Sequence, residues 1–401
     1  MAINRTVAVA VVFGLVGSTA LPVMAQRAPT SGPVARYDMR VGTVSGFGAM
    51  GGGFGGAMSM AFGGGGNKVQ HELLLRLGSS QPAGGKPKAD HFMPAGAKLG
   101  KSVALITPTE ERGPVDELPG QRQGQKPSGR MLIFWGCGEH APKGQPVIID
   151  FAKLGAGQVP PGMWSATVLR DWGPTLQNSK TFGRWPAEDG KMVKADSSLI
   201  GAHRIAGNYS PEISFNLAQD FLAPLTTTST SNPSGSTLLS WNAVPGATGY
   251  LAFLFGGKMA QGGQMGDMVM WTSSASRQFG GGLSDWLTPT QVAGLVKDRT
   301  VMAPSTISCT IPAEVRNAGA DFRMGMMTAF GPEADFSYPE RPANPKAPWN
   351  LEWTARVRYR ATTSWMDMPG MPNQAEQQQG PKKCKPKGLG GLLGAAIGGG
   401  C

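Results

Sequence analysis

Residues 353–362 read Trp353-Thr-Ala-Arg-Val-Arg-Tyr-Arg-Ala-Thr362. Every second side chain from Trp353 to Ala361 is apolar, and the alternate positions from Thr354 to Thr362 hold three arginines and two threonines. A period of two places alternate side chains on opposite faces of a β-strand. The stretch therefore predicts a strand with one core face and one basic face.

The composition favours short strands elsewhere in the chain as well. The 401 residues include 59 glycines and 32 prolines, well above average usage. Apolar runs of strand length recur at 130–137, 145–151, 164–169, 198–205 and 212–217, separated by turn-prone residues. We expect one clear helix start, where Thr288 caps, Pro289 takes the first helical position and Gln291 completes a capping box.

These patterns predict a mostly β protein with two β-sandwich-like domains and flexible ends. A Ser/Thr-rich stretch separates the two domains, and low-complexity segments rich in glycine flank them. The predicted organisation is a signal peptide (1–25), a disordered Gly/Met-rich segment (26–68), a first β-rich domain (69–225), a linker (226–236), a second β-sandwich domain (237–365) and a disordered Lys/Gly-rich tail (366–401).

The start of the second domain carries a family resemblance. Residues 237–253 place Trp241 before a Val244-Pro-Gly-Ala247 turn, and Tyr250 opens the next run. The segment resembles the B and C strands of fibronectin type III domains, in which a core Trp and an inward Tyr flank such a turn. The resemblance implies a two-sheet sandwich in which Trp241 is a core anchor, and it implies no activity, because such sandwiches serve many functions.

Residues 1–25 have the pattern of an export signal. Arg5 supplies a positive start, residues 7–16 form a short apolar core, and Val23-Met-Ala25 suits signal peptidase. The apolar core is shorter than the ~20 residues of a membrane span. Gln26 stands where a lipoprotein would have cysteine. We expect an exported protein without a lipid anchor, in the periplasm or cell envelope rather than freely secreted.

An oxidising compartment permits disulfides, and four cysteines allow three pairings. Cys384 and Cys401 share one tail, so the cost of closing their loop is small and a disulfide between them is favoured. Cys137 and Cys309 each lie on the apolar face of a strand pattern. We interpret both as core thiols that stay unpaired.

The tail combines lysines with a glycine repeat. Lys382-Lys-Cys-Lys-Pro-Lys precedes an apolar stretch in which Gly390, Gly394 and Gly398 recur at every fourth position. This spacing resembles a glycine zipper, in which small residues allow close helix packing. Three alternatives stay open: peripheral contact with a membrane surface, packing in an oligomer, or disorder.

No motif for catalysis or for a cofactor is recognisable, so we expect no cofactor and lean against an enzyme. One alternative is an extracytoplasmic enzyme that uses the turn Cys137-Gly-Glu139-His140, since functional groups are often placed on loops. Another is copper handling by Met265, Met268 and Met270, because thioethers suit Cu(I). Methionines that fill an irregular core explain the same pattern.

The basic face of the strand predicted at residues 353–362 suggests an anionic partner. Arg356, Arg358 and Arg360 sum their fields and could meet an anionic polymer. The alternative is structural, because charged edge strands prevent sheets from aggregating. Arginines without interleaved aromatic residues do not form a nucleic-acid platform. The expected function is non-catalytic binding or scaffolding, with an envelope protein or an anionic polysaccharide as partner and no nucleic acid.

Overall fold

Alternating apolar and polar residues produce strands over most of the chain. The computed structural model describes residues 32–50, 68–108, 129–155, 158, 169, 173–187, 192–259, 265–278, 282–283, 285–344 and 346–367. Within them the strands are β1 Ala35–Gly46, β2 Val69–Ser79, β3 Ala89–Phe92, β4 Ser102–Ala104, β5 Arg130–Trp135, β6 Val147–Asp150, β7 Thr181–Trp185, β8 Met192–Val193, β9 Gly201–Gly207, β10 Ile213–Leu217, β11 Thr227–Ser231, β12 Thr237–Trp241, β13 Gly249–Met259, β14 Met265–Thr272, β15 Ser308–Ile311, β16 Phe322–Tyr338 and β17 Trp353–Asp367. The helices are α1 Phe151–Gly155, α2 Pro289–Lys297 and α3 Ala313–Asn317.

The strands form one large sheet and two small ones. The large sheet has the order β6-β5-β14-β13-β16-β17-β1-β2-β7, with β8 also paired to β2. The small sheets are β10-β9-β3-β4 and β11-β12-β15. One buried cluster contains side chains from all three sheets, among them Leu75, Phe215, Leu239 and Val357. Both small sheets therefore cover the same face of the large one, and the prediction of a mostly β fold is confirmed.

The second predicted sandwich is present as one half of this arrangement. Sheet β11-β12-β15 packs against β14-β13-β16-β17, so that β12 and β13 lie in opposite sheets. Between them Trp241 and Tyr250 are buried with their rings 5.7 Å apart. Gly246 has a φ of +80° in the turn that joins the two strands, a conformation that favours glycine. These positions match what the fibronectin type III resemblance implies for a core Trp and an inward Tyr.

Strand β1 lies in the other half of the sheet and shows that part of the segment 26–68, predicted to be disordered, is ordered. Ala35–Gly46 is a buried central strand that runs parallel to β17 and antiparallel to β2. Its alternate residues from Ala35 to Val41 are apolar and enter the core. The prediction was wrong for these residues because a nearby glycine tract concealed a short alternating pattern. Residues 26–31 and 51–67 of the predicted segment lie outside the described residues.

The predicted linker and the predicted boundary between the two domains also change. The predicted linker 226–236 contains strand β11, which pairs with β12 through Thr and Ser residues, so it is part of the sandwich. Strands from both sides of it meet in the large sheet, because β5 pairs with β14 and β1 pairs with β17. The two sandwich-like halves thus share one continuous sheet. The signal segment 1–25 and residues 368–401 of the tail lie outside the described residues.

The two cysteines expected to be separate thiols form a disulfide. Cys137 and Cys309 are bonded across a sequence separation of 172 residues, with their Cα atoms 5.2 Å apart. The strand patterns correctly placed Cys309 in the core, but Cys137 follows the end of β5 and is exposed. The bond ties this end of the large sheet to β15. The prediction was wrong because local alternation says nothing about which strand ends meet.

Helix α2 confirms the predicted capping box. The side chain of Thr288 accepts a hydrogen bond from the backbone of Gln291, and the side chain of Gln291 accepts one from the backbone of Thr288. The helix covers the other face of the large sheet, where Val292 and Leu295 pack with Phe330. Over the described residues, no helix is long and apolar enough to cross a membrane.

Candidate ligand-binding cleft

Opposite the shared core, the centre of the large sheet carries charged side chains instead of apolar ones. In register, Asp335 of β16, Arg356 of β17, Asp38 of β1 and Arg76 of β2 lie side by side. The next row places Glu333, Arg358 and Arg40 beside one another. Four neighbouring strands thus bring opposite charges together on one face, where cross-strand pairs stabilise a sheet.

Asp38 is the centre of a buried ion network. Both oxygens of Asp38 accept hydrogen bonds from Arg358, at 2.7 and 2.9 Å, and Oδ2 also accepts one from Arg40 at 2.8 Å. These side chains are only 3–4% exposed. Arg358 also donates to the backbone oxygen of Trp286. Buried charges are tolerated when they are paired and hydrogen bonded in this way.

Arg360 has a carboxylate partner and an aromatic partner of its own. Its guanidinium donates to Glu72 Oε2 at 3.0 Å and lies 4.0 Å from the centre of the Trp286 ring. A cation over an aromatic face is attracted by the ring quadrupole. Arg360 is therefore fixed between Glu72 and Trp286.

Glu333 lies next to this network at an irregularity in β16. The register with β17 shifts between Phe330 and Glu333. Oε2 of Glu333 lies 3.4 Å from Arg356 Nε, and this buried atom accepts no hydrogen bond from the described residues. Burial raises the pKa of the Glu333 carboxyl to about 7, against the lowering effect of Arg356, and the charge of Asp335 raises it further. The side chain therefore changes charge near neutral pH.

A cleft of about 300 Å³ opens beside the network, at the ends of β1, β16 and β17. This volume is at the lower end of small-ligand sites. Its polar side chains belong to the charged face of the three strands and are Arg36, Asp38, Asp335, Ser337, Thr354 and Arg356. Trp349 and the segment Gly173-Pro174 complete the wall. The cleft thus combines two guanidinium groups, carboxylates, hydroxyls and one indole ring.

Neutral acceptors position Arg36 in this wall. Its guanidinium donates to the backbone oxygen and the side-chain oxygen of Asn178, at 3.0 and 3.2 Å. Among the described residues no carboxylate pairs with it, whereas Arg356 donates to Asp335 at 3.1 Å. Trp349 is held by its own hydrogen bond from Nε1 to the backbone oxygen of Pro339, at 3.0 Å. Over the part of the chain that the structure describes, the cleft therefore has one oriented cation without a carboxylate partner and one oriented aromatic ring.

The predicted arginine surface is divided by the fold. Arg358 is buried within the ion network, and Arg360 is engaged with Glu72 and Trp286. Arg356 is half-exposed at the cleft. Contact with an anionic partner stays a prediction, and the geometry directs it to Arg356 rather than to the whole row. Arg36 is the added cation that the sequence interpretation missed.

The turn proposed as an enzyme site is an exposed surface feature. Cys137 is oxidised, so it is not available as a nucleophile. His140 Nδ1 lies 3.1 Å from Glu314 Oε1, and the backbone of Glu139 accepts a hydrogen bond from Ala313. The His140 side chain is 69% exposed. These contacts fasten the turn to α3, and they gather no enclosed catalytic set.

The methionines proposed for copper lie in or beside strand β14. Met268 is buried with Met131, Ile133 and Phe151, and Met270 packs against the same cluster. Packing therefore accounts for these two side chains, and copper binding stays a prediction. Over the described residues no three His, Cys, Asp or Glu side chains gather as a metal site. Cys384 and Cys401 lie outside the described residues, so their pairing also stays a prediction.

The charged residues of β1, which the sequence interpretation missed, do follow a recognisable sequence pattern. Arg36, Asp38 and Arg40 alternate with Tyr37 and Met39 in the same two-residue period that identifies β17.

Comparisons with known proteins give no matching family model, no matching curated protein and no matching solved structure. The interpretation of the cleft therefore depends on its own chemistry.

Proposed function

We propose that this is an exported protein that binds an anionic polysaccharide of the cell envelope without altering it chemically. The observation that carries the proposal is the cleft into which Arg36 and Arg356 both open. Guanidinium groups recognise anionic groups through paired hydrogen bonds. The formal net charge of +11, of which Arg5 in the export signal contributes one, favours encounter with a negatively charged polymer.

The Cys137–Cys309 bond supports the extracytoplasmic part of the proposal. Disulfides persist in oxidising compartments and are rare in the cytosol. The export pattern of residues 1–25 agrees with this location. A rigid sheet whose polar cleft opens at one end suits a binding protein, since the cleft needs no folding upon contact.

The test is retention of residues 26–401 on immobilised polygalacturonate, dextran sulfate and neutral dextran at physiological salt. We expect retention on at least one acidic polymer and none on dextran. Arg36→Gln and Arg356→Gln should each weaken retention about tenfold, the loss of one charge-assisted hydrogen-bonded contact. Arg204→Gln is the matched control, because Arg204 pairs with Glu212 on the four-stranded sheet. Failure of the wild type on both acidic polymers, or equal retention on dextran, overturns the proposal.

A further inference from the structure

We propose that the cleft takes one uronic acid unit, with its carboxylate between Arg36 and Arg356 and its ring against Trp349. This inference rests on the proposed function and adds to it the ligand's chemical class and orientation. In the register of the sheet, Arg36 lies opposite Thr354, and Arg356 lies two positions further along the same strand. The two guanidinium groups therefore project from the same sheet face within reach of one carboxylate.

Asp335 in the wall of the cleft limits which class of anion can bind there. Asp335 is exposed at the cleft, where it already accepts a hydrogen bond from Arg356 at 3.1 Å, and an ionised carboxylate only accepts further ones. A ligand that satisfies both Arg36 and Asp335 must carry an anionic acceptor and also hydroxyl donors. Sulfate has no such donors, and a phosphate monoester brings up to two negative charges towards Asp335. A sugar carboxylate has one negative charge and several hydroxyls.

The remaining lining groups fit a sugar ring. Ser337 and Thr354 offer hydroxyls that donate and accept, on the same face as Arg36. Trp349 presents a ring whose orientation is fixed by the bond to Pro339. The negative face of an aromatic ring attracts the polarised C–H groups of a sugar. A volume of about 300 Å³ suits one or two sugar units more than a long stretch of chain.

Isothermal titration of residues 26–401 with galacturonate, digalacturonate, galactose, inorganic sulfate and glutamate tests the inference. We expect binding by galacturonate and digalacturonate, and at least tenfold weaker binding by galactose, sulfate and glutamate. Trp349→Ala should weaken galacturonate binding about tenfold, because it removes the ring against which the sugar packs. Arg36→Lys keeps the charge but loses the guanidinium fork, so it should weaken binding as well.

The outcomes distinguish a failure of the uronic acid inference from a failure of the proposed polysaccharide-binding function. Retention on acidic polymers without galacturonate binding overturns the inference and leaves the proposed function standing. Tighter binding by glutamate identifies a zwitterion site and overturns the inference. Trp349→Phe keeps an aromatic ring and should retain most of the affinity if the variants fold. Loss of all binding in Trp349→Phe with an unchanged circular dichroism spectrum also contradicts the proposed orientation.

Discussion

Asp38 is the side chain on which two buried arginines depend. Arg40 and Arg358 both donate to its oxygens, and all three side chains are nearly inaccessible. Removing Asp38 breaks the buried ion pair of Arg358 and leaves Arg40 with its longer contact to Asp285, at 3.5 Å.

We predict that Asp38→Asn lowers the free energy of unfolding by about 3–5 kcal/mol, as measured by urea denaturation at pH 7.5. Asp196→Asn is the control, since Asp196 pairs with Lys98 on the surface with a side chain that is 69% exposed. Its unfolding midpoint should stay at the wild-type value. An Asp38→Asn midpoint equal to that of the control would show that the network contributes nothing.

Glu333, unlike Asp38, lowers the stability of the fold when it is ionised, because burial disfavours its charged form. Its pKa is raised by burial to about 7 in the folded protein, compared with 4.5 for an ordinary glutamate. The unfolded chain therefore loses this proton at lower pH than the folded protein. Stability from the neutral carboxyl is present below pH 4.5 and is lost as the pH rises towards about 7.

We predict that Glu333→Gln unfolds at higher urea concentration than the wild type at pH 8, with a difference that shrinks towards pH 4.5. Glutamine keeps the size of the side chain and stays neutral. Glu352→Gln is the matched control for the loss of a carboxylate, because Glu352 is exposed. A constant difference between Glu333→Gln and the wild type at all pH values would contradict a titration of Glu333.

At the scale of elements, a chain of three rings joins β1 to the four-stranded sheet. The His203 Nε2 atom lies 2.7 Å from the Leu199 backbone oxygen, which only accepts, so Nε2 carries the proton. His203 Nδ1 then accepts from His91 Nε2 at 3.0 Å, and His91 Nδ1 accepts from the Tyr37 hydroxyl at 2.7 Å. These directions hold for two neutral imidazoles, the form that burial favours by lowering the pKa of both rings.

Burial lowers the pKa of His91, and the neighbouring His203 lowers it further, while burial also lowers the pKa of His203. The unfolded chain binds protons on both rings as the pH falls below their ordinary value of 6.5, before the folded protein does. Stability from the chain of rings is thus complete above pH 6.5 and is lost in acid. His71 acts in the same direction, because burial lowers its pKa too.

We predict that the free energy of unfolding of the Glu333→Gln variant falls steadily from pH 7.5 to pH 5. This background is chosen because Glu333 opposes the histidines over the same range. Adding His203→Gln should reduce both the stability and its slope with pH. A slope that is the same with and without His203→Gln would rule out the buried rings.

The strand elements themselves were largely predictable, and their partners were not. The two-residue period of 353–362 identified β17 and both of its faces, and the Thr288 capping box identified the start of α2. The same period over Arg36 to Val41 was hidden beside a glycine tract. Nothing local indicates that Asp38 meets Arg358, 320 positions away, because strand register depends on long-range packing.

At the scale of the whole molecule, the Cys137–Cys309 bond connects the large sheet to β15 across a loop of 172 residues. In the loop-entropy description, a cross-link over a long loop stabilises the fold chiefly by restricting the unfolded chain. The bond also joins the end of β5, which precedes residues 226–236 in the chain, to β15, which follows them. Its loss should therefore lower the stability of the molecule as a whole.

We predict that the Cys137→Ser/Cys309→Ser variant loses about 2–5 kcal/mol of unfolding free energy. Urea denaturation of this variant should match that of the wild type measured in excess reductant. Peptide mapping of the wild type without reductant should recover the peptides of Cys137 and Cys309 as one linked species. Recovery of separate peptides, or equal stability with and without reductant, would contradict the bond.

The sequence by itself determined the strand-rich fold class, the two faces of β17 and the sandwich motif of 237–253, since these follow from the period and chemistry of neighbouring residues. Only the tertiary structure decided that β1 pairs with β17, that Cys137 meets Cys309 and that Arg36 and Arg356 open into one cleft. The physical reason is that alternation fixes the face of each side chain, whereas its neighbours depend on which distant strands bury their apolar faces together.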